Sequence, residues 1–278
     1  MAAQFLSFPI RSTKLSMSVE VLEHVAHRET EFQTIDIYDT HAFGKVLFLD
    51  GHVQLSEMDE ACYHEALVHI PLLSMHEPKR ALVVGGGDGG VLRELCRNRT
   101  LQDIHMVEID RGVIEVSQQY MPSLSDGAFG DPRVSLFIED AFAFVKRVEE
   151  PYDLIIMDVT DVYEEEDGAL SEKLFTADFH RDCMAALKPG GLLVTQADNH
   201  VFCPYSLEGV LKDFGAVFPK VGWYQALVPS FGGYSAYAWA SREGQVRQDP
   251  PMIPFEAKYL TETTWRLAFE RLPFVTNS

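Results

Sequence analysis

Two regimes of hydrophobic patterning divide the chain. Over residues 18–56, apolar and polar positions alternate in short runs such as VEVLEHVAH, EFQTIDIYD, KVLFLDG and HVQLSE, with turn residues at Gly44 and Asp50-Gly51. Alternation with a period of two is typical of strands in an antiparallel sheet. Residues 58–75 instead carry apolar side chains at helical spacing, which predicts a helix after the strands.

From Arg80 onward, strand-like runs alternate with helical ones. The runs ALVVGGG, IHMVEID, VSLFIED, YDLIIMDVTD and GGLLVTQAD are separated by helical segments, and GWYQALVPSFGGYSAYAWAS predicts a closing antiparallel hairpin. This alternation favours a mostly parallel sheet flanked by helices. We therefore predict an α/β protein with a small N-terminal antiparallel β domain and its linking helix over residues 1–75, and a Rossmann-like catalytic domain over residues 76–278.

Composition narrows the classes of partner. The chain has 42 acidic and 23 basic residues and a formal net charge of −19. Nucleic acid is excluded as a partner because phosphate binding needs a basic face, whereas cationic ligands suit this charge; maintaining solubility is the alternative explanation. No run is apolar enough to span a membrane and no signal peptide is evident, so we expect a cytoplasmic protein without a membrane partner.

Acidic residues follow the predicted parallel strands. In a doubly wound sheet the ligand lies beyond the carboxyl ends of the strands, so these residues are candidates for binding it. They are, in strand order, Asp88, Glu108 with Asp110, Asp140, and Asp158 with Asp161.

The glycine-rich turn VGGGDGG, residues 84–90, follows the first parallel strand. Glycines at this place let a ligand approach the backbone closely. A pyrophosphate would meet the carboxylate of Asp88, and that contact is repulsive. The turn therefore favours a nucleoside without phosphates that carries a positive charge nearby. The alternative is that Asp88 only caps the following helix.

Two further carboxylates fit such a nucleoside. Glu108 comes about twenty residues after the glycine turn, where a carboxylate typically accepts hydrogen bonds from ribose hydroxyls. Asp140 can accept a hydrogen bond from the exocyclic amine of adenine, although a helix cap explains it equally well. Together they indicate adenosine that carries a sulfonium, as in S-adenosylmethionine or its decarboxylated form.

The motif DVTD places Asp158 and Asp161 three residues apart after the fourth parallel strand. A methyltransferase does not generally need this pair. An amine nucleophile does, because a protonated amine cannot attack, and a carboxylate can hold the ammonium and accept its proton. The pair therefore favours transfer to an amine.

These motifs together resemble the polyamine aminopropyltransferases, a family that includes spermidine synthase. The resemblance covers nearly the whole chain, through GKVLFLDGHVQLSEMDEACYHEALVHIPL, GGGDGGVLREL, VEID, EDAFAF, YDLIIMDVTD and TTWRLAFERLPFV. It implies a methyltransferase-like Rossmann domain with a mostly parallel sheet, and aminopropyl transfer from decarboxylated S-adenosylmethionine to a di- or polyamine. Methylthioadenosine would be released, with no tightly bound cofactor. Putrescine, giving spermidine, is the first choice of acceptor, and a longer amine, giving spermine or thermospermine, is the alternative.

The resemblance also assigns roles to residues. Asp158 would be the catalytic carboxylate and would also touch the donor, and Asp161 would bind the amine. Asp88 would hold the ammonium of the aminopropyl group. The rest of the donor site would comprise Gln33, Gly85, Gly87, Glu108 and Asp140. The channel between donor and amine would be lined by Gln54, Tyr63 and His64.

The acceptor region departs from the family pattern. Gln196 in TQAD matches a family glutamine only loosely, and Phe231 stands where many relatives have a tyrosine hydroxyl that would bind the amine. The acidic run at residues 164–167 replaces a segment rich in proline and glycine. It is either a solvated loop or a gate that attracts a polycation.

The reaction needs no metal, because a sulfonium is already a good leaving group. The resemblance implies a homodimer or a homotetramer. A methyltransferase on the same fold is the competing class of enzyme, and a non-catalytic nucleoside-binding protein is a third. A methyltransferase would not require the N-terminal β domain with DEACYHE. A non-catalytic nucleoside-binding protein would be expected to have lost the strand-end carboxylates, which are present in this sequence.

Overall fold

Two sheets organise the chain in a computed structural model that describes residues 3–10, 15–159 and 176–271. The first sheet is an antiparallel meander in which each strand pairs with the next along the chain. Its strands are β1 (Gln4–Pro9), β2 (Ser16–Glu29), β3 (Thr34–Thr40), β4 (Gly44–Leu49) and β5 (His52–Ser56). The N-terminal antiparallel sheet expected from the alternating pattern is confirmed.

The second sheet has the spatial order β8-β7-β6-β9-β10-β12-β11. Strands β6 to β10 are parallel to their neighbours, and β12 pairs antiparallel with β10 and with β11. The α/β prediction, with its parallel sheet and closing hairpin, is confirmed. The bounds are β6 (Arg80–Gly85), β7 (Asp103–Glu108), β8 (Val134–Ile138), β9 (Tyr152–Asp158), β10 (Leu187–Asn199), β11 (Lys220–Val228) and β12 (Gly233–Ser241).

Helices fill the connections between these strands. They are α1 (Glu60–Leu72), α2 (Gly90–Cys96), α3 (Arg111–Tyr120), α4 (Ala141–Lys146), α5 (Ala177–Ala185), α6 (Pro204–Gly215) and α7 (Glu262–Phe269). Several begin at a side chain that accepts a backbone N–H, as Asp110 does for α3 and Thr261 for α7. Among the described residues, no helix combines the length and the apolar character that crossing a membrane requires.

Helix α1 links the two sheets and is buried along nearly its whole length. It packs against α2 and against strands of the second sheet, and its apolar residues share one core with β4 of the first sheet. The buried carboxylate of Glu65 accepts backbone N–H groups from three consecutive residues, Lys258, Tyr259 and Leu260, at 2.7–2.9 Å. The domain boundary after residue 75 stays a prediction.

A second core joins α3 to the first sheet. Ile35, Ile37 and Leu47 are buried against Val113 and Val116 of the helix. Since α3 follows β7 directly, this packing fixes the first sheet beside the carboxyl ends of the parallel strands. The turn between β2 and β3 is thereby brought to the edge where the strand-end carboxylates lie.

The C-terminal helix should contribute strongly to stability through Trp265. Its ring is fully buried and its Nε1 donates to the carbonyl of Gln248 at 3.1 Å. Trp265→Ala should lower the free energy of unfolding by about 3–5 kcal/mol, because it leaves a cavity in the core. Urea denaturation at a fixed protein concentration measures this. Leu267→Ala on the same helix removes a side chain that is 45% exposed, and its effect should be within about 1 kcal/mol; equal losses would contradict the prediction.

Candidate active site

The glycine turn after β6 is shaped first by packing. Gly85 has φ +80°, and a β-carbon there would overlap the carbonyl oxygen of Asp158. That carbonyl accepts the N–H of Gly86 at 2.9 Å, which ties the ends of β6 and β9 together. A β-carbon on Gly87 would lie 2.9 Å from Val113 and 3.1 Å from the Glu108 carboxylate. Glycine is therefore required at position 85 whether or not a ligand is bound, whereas a side chain at position 87 would force Val113 to shift.

Asp158 ends β9, and its carboxylate lies over the glycine turn. Tyr63 of α1 donates its hydroxyl to Oδ1 of Asp158 at 2.6 Å. The Tyr63 ring is held in turn by edge contact with Phe231, at 5.7 Å between centroids, and by Tyr237, also at 5.7 Å. A rigid aromatic cluster therefore orients the predicted catalytic carboxylate.

Asp88 and His64 belong to a chain of four charged side chains. His64 Nε2 lies 3.3 Å from Oδ1 of Asp88, and its Nδ1 lies 2.8 Å from Oε2 of Glu60. Arg93 Nη2 donates to the same Glu60 oxygen at 2.7 Å. The charges alternate along the sequence Arg93, Glu60, His64, Asp88. We call these four residues the buried charge chain.

The charge chain sets the protonation of its members. Burial opposes the charged forms, but Asp88 and Glu60 raise the pKa of His64 to about 10. Burial alone would raise the pKa of Glu60, but the positive charges of His64 and Arg93 outweigh it and lower this pKa to about 2. At neutral pH the His64 ring is therefore an imidazolium that donates from both nitrogens.

His64, Asp88 and Asp158 present nitrogen and oxygen atoms within 4.8 Å of one another. Both ring nitrogens of His64 already face carboxylates, Nδ1 that of Glu60 and Nε2 that of Asp88, so the ring compensates the negative charge gathered here. Asp88 also accepts the N–H of Gly90, the first residue of α2, at 2.7 Å. This is the kind of bond that the alternative interpretation, a helix-capping role for Asp88, predicts.

Glu108 and Asp110 lie at the end of β7. Glu108 is 8% exposed, and burial raises its pKa to about 7. Its Oε1 accepts the N–H of Asp110 at 2.8 Å. Gln33, in the turn between β2 and β3, donates to the Asp110 carboxylate at 2.9 Å, as does Thr30 at 2.8 Å. The first sheet thus reaches the site through Asp110, a strand-end candidate to which the sequence assigned no specific role.

Asp140 caps helix α4. Its Oδ1 accepts the N–H of Phe142 at 2.8 Å, and the residue is exposed. The capping interpretation left open by the sequence is therefore present. A capping carboxylate keeps a second oxygen for another donor, so its predicted contact with adenine stays a prediction.

The residues predicted to bind the acceptor amine differ in burial and in their hydrogen-bond partners. Gln196 is buried, and its amide nitrogen donates to the carbonyl of Val159 at 3.3 Å. Phe231 is buried against Tyr63. Gln54 donates to the carbonyl of His52 at 3.1 Å. Asp161 and the acidic run at residues 164–167 lie outside the described residues.

Sequence reasoning missed Asp59, directly before α1. This buried carboxylate accepts the N–H of Ser230 at 2.6 Å, the hydroxyl of Ser230 at 2.9 Å and that of Ser56 at 2.7 Å. It therefore fixes the turn that carries Phe231 to the start of α1. The only local signal was an acidic residue at a helix start, which is common without such a role.

Known proteins resemble this chain along nearly all of it. The family model described as the spermine/spermidine synthase domain matches residues 60–250, and the one described as the spermidine synthase tetramerisation domain matches residues 9–57. A polyamine aminopropyltransferase of Pectobacterium carotovorum is 42% identical over 223 residues, which cover 80% of this chain and 76% of that protein. One of Alkaliphilus metalliredigens is 39% identical over 229 residues, which cover 81% and 78%.

Solved structures agree with the sequence relatives. A spermidine synthase in complex with the transition state analogue AdoDATO has a TM-score of 0.90 and 27% identity, covering 98% of this chain and 93% of that one. The spermidine synthase of Thermotoga maritima has a TM-score of 0.87 and 26% identity, covering 98% and 92%. The resemblance drawn from the motifs is thus confirmed, and the chain belongs to the spermine/spermidine synthase family of polyamine aminopropyltransferases.

Proposed function

We propose that this protein transfers an aminopropyl group from decarboxylated S-adenosylmethionine to a di- or polyamine and releases methylthioadenosine. Family membership supports the reaction, and one observation carries it: Asp88 and Asp158 converge beside the His64 ring, with atoms within 4.8 Å. Two carboxylates at the carboxyl edge of the sheet suit a donor and an acceptor that are both cations. Putrescine is the proposed acceptor, and a longer amine is the alternative.

The donor nucleoside would lie over the glycine turn. Glu108 would accept hydrogen bonds from the ribose, and Asp140 would accept one from the adenine amine through the oxygen that its capping role leaves over. Gln33 would support the nucleoside site beside Glu108 through its hydrogen bond to Asp110. Gly85 and Gly87 place no side chain between the turn and the approaching nucleoside. Asp88 would meet the ammonium of the aminopropyl group.

The proposed reaction is one in-line displacement. The amine arrives protonated, because its pKa is about 10, like that of lysine. Asp158 holds the ammonium and accepts its proton, and the freed nitrogen attacks the methylene carbon next to the sulfonium. A carbon–nitrogen bond forms while the carbon–sulfur bond breaks. Its electron pair stays on sulfur, which leaves in neutral methylthioadenosine.

Charge would select the donor. S-adenosylmethionine carries a carboxylate that its decarboxylated form lacks, and that group would lie near Asp88 and Asp158. Like charges brought together in a site that excludes water cost several kcal/mol. His64 offsets only part of this repulsion, because Glu60 already accepts a bond from the ring.

The acceptor channel would run past Tyr63 and the aromatic cluster. Gln54 and Gln196 offer amide groups, and Phe231 offers an apolar wall to the methylene chain of the amine. Asp161 would bind the far ammonium. Because Phe231 supplies no hydroxyl, the channel binds the amine through carboxylates and amides.

The match of residues 9–57 to a tetramerisation domain indicates that the protein is an oligomer. We propose a homodimer or a tetramer built from two dimers. Antiparallel sheets commonly protect their edge strands by covering or pairing them, and β1 offers such an edge at one side of the first sheet.

Removing the charge of Asp158 should stop the chemistry. Asp158→Asn keeps the size and one oxygen but cannot accept the proton, so turnover should fall by about 10²–10⁴. Methylthioadenosine formed from decarboxylated S-adenosylmethionine and putrescine is the measurement. Asp178→Asn, at a highly exposed carboxylate on α5, is the matched control. Wild-type protein that makes S-adenosylhomocysteine from S-adenosylmethionine, and no methylthioadenosine, would overturn the proposed function.

Nucleoside binding should depend on pH through Glu108. Its pKa of about 7 means that the ionised carboxylate, which accepts both ribose hydroxyls, is lost as the pH falls through 7. Affinity for methylthioadenosine should therefore drop up to about tenfold between pH 8 and pH 6. Calorimetry with this uncharged product avoids titration of an amine. Glu108→Gln should bind it more weakly and with a flat profile; an equal slope in that variant would remove Glu108 from the ribose site.

A further inference from the structure

We propose that His24, His27 and Asp36 form a binding site for a divalent transition metal, with Zn²⁺ as the fitting ion, on the first sheet. The three side chains present two imidazole nitrogens and a carboxylate oxygen within 4.8 Å of one another. Imidazole and carboxylate are the usual zinc ligands besides thiolate. This site lies apart from the strand-end carboxylates and is independent of the proposed reaction.

A β-bulge brings the two histidines to one face. Side chains three residues apart on a regular strand point to opposite faces. Here His24 pairs with Tyr38 and His27 pairs with Asp36, while Ala26 already pairs with Ile37. One extra residue on β2 therefore separates the two histidines, and both fall on the face of Asp36. Bulges commonly re-aim side chains in this way.

The distances suit a small tetrahedral ion. His24 Nε2 lies 2.7 Å and His27 Nδ1 lies 2.9 Å from the same oxygen of Asp36. Zinc bonds of 2.0–2.1 Å in a tetrahedron separate neighbouring ligand atoms by about 3.3 Å. Each imidazole nitrogen needs to move away from the Asp36 oxygen by only about 0.5 Å to admit the ion, which replaces the hydrogens now shared between them.

The neighbours hold the ligands in place. The His24 ring stacks on Tyr38 with centroids 4.2 Å apart and planes 11° apart. The other nitrogen of His27, Nε2, lies 3.9 Å from a carboxylate oxygen of Glu29. That distance is too long for a hydrogen bond, so the carboxylate adds negative charge beside the site, and the stacking on Tyr38 is what orients a ligand.

Access and charge favour an ion from solution. The side chains of His24 and His27 are 43% and 51% exposed, whereas Asp36 is 17% exposed. A partly buried carboxylate flanked by exposed imidazoles leaves the fourth ligand position open to water. The strongly negative protein attracts cations over its whole surface.

The test is metal binding by the full-length native assembly after treatment with a chelator. Calorimetry with Zn²⁺ should give one ion per chain, and Co²⁺ should give the visible absorption of a tetrahedral site. The double variant His24→Gln, His27→Gln should bind at least about tenfold more weakly. His76→Gln, at an exposed histidine outside the cluster, is the control and should bind like wild type.

Two results would overturn the site. One is unchanged stoichiometry and affinity in the double variant, and the other is no Zn²⁺ binding by wild type up to about 1 mM, a threshold that corresponds to about −4 kcal/mol. The melting temperature of each variant without metal checks folding. If the double variant is unstable, Asp36→Asn alone serves, since it keeps the size of the side chain and should also weaken binding. Aminopropyl transfer is not the readout, so either proposal can fail alone.

Discussion

The buried charge chain is the interaction on which the rest of the site depends. Arg93, Glu60, His64 and Asp88 are linked at 2.7, 2.8 and 3.3 Å in that order. Buried charges are costly unless each has a partner, and breaking one such contact leaves an uncompensated charge inside the protein. The chain therefore locks α1 against α2 and against the glycine turn. Gly90 belongs to the same lock, because a β-carbon there would overlap the His64 ring.

Once α1 is fixed, its other side chains fall into place. Tyr63, one residue before His64, reaches Asp158, and Asp59 at the start of the helix fixes the turn that carries Phe231. Glu65 on the same helix binds three backbone N–H groups of the C-terminal segment. One helix thus connects the first sheet, the glycine turn, the end of β9 and the C-terminal segment. A rigid support of this kind keeps reacting groups in place, which is what a displacement reaction requires.

Local sequence patterns were enough to predict the sheets and the strand-end carboxylates. Alternation over residues 18–56 predicts antiparallel strands, and carboxylates that follow parallel strands must gather at one edge of a sheet, as Asp88, Glu108 and Asp158 do. The glycine turn was interpreted through its ligand, yet Gly85 is already required by the carbonyl of Asp158. Asp140 shows the limit of a single position, since its capping bond follows from local sequence and its proposed ligand contact does not.

The hydrogen-bond and ion-pair partners of the site residues could not be predicted from the sequence, because they come from distant segments of the chain. Glu60 and Arg93 are 33 positions apart, Gln33 and Asp110 are 77 apart, and Asp59 and Ser230 are 171 apart. No periodicity or spacing joins such pairs; only the packing of α1 and α3 does. The bulge in β2 is similar, since its register becomes visible only when β3 is paired with it.

The protonation of His64 tests this account most directly. With a pKa of about 10, the ring should carry protons on both nitrogens at pH 8, whereas a free histidine with a pKa of about 6.5 would be neutral there. Nuclear magnetic resonance of ¹⁵N-labelled histidine, with His64 identified by the signal lost in His64→Gln, reports both nitrogens. Asp88→Asn should lower this pKa, and Asp178→Asn should leave it unchanged. A His64 ring that titrates near pH 6.5 in the wild-type protein would contradict the buried charge chain.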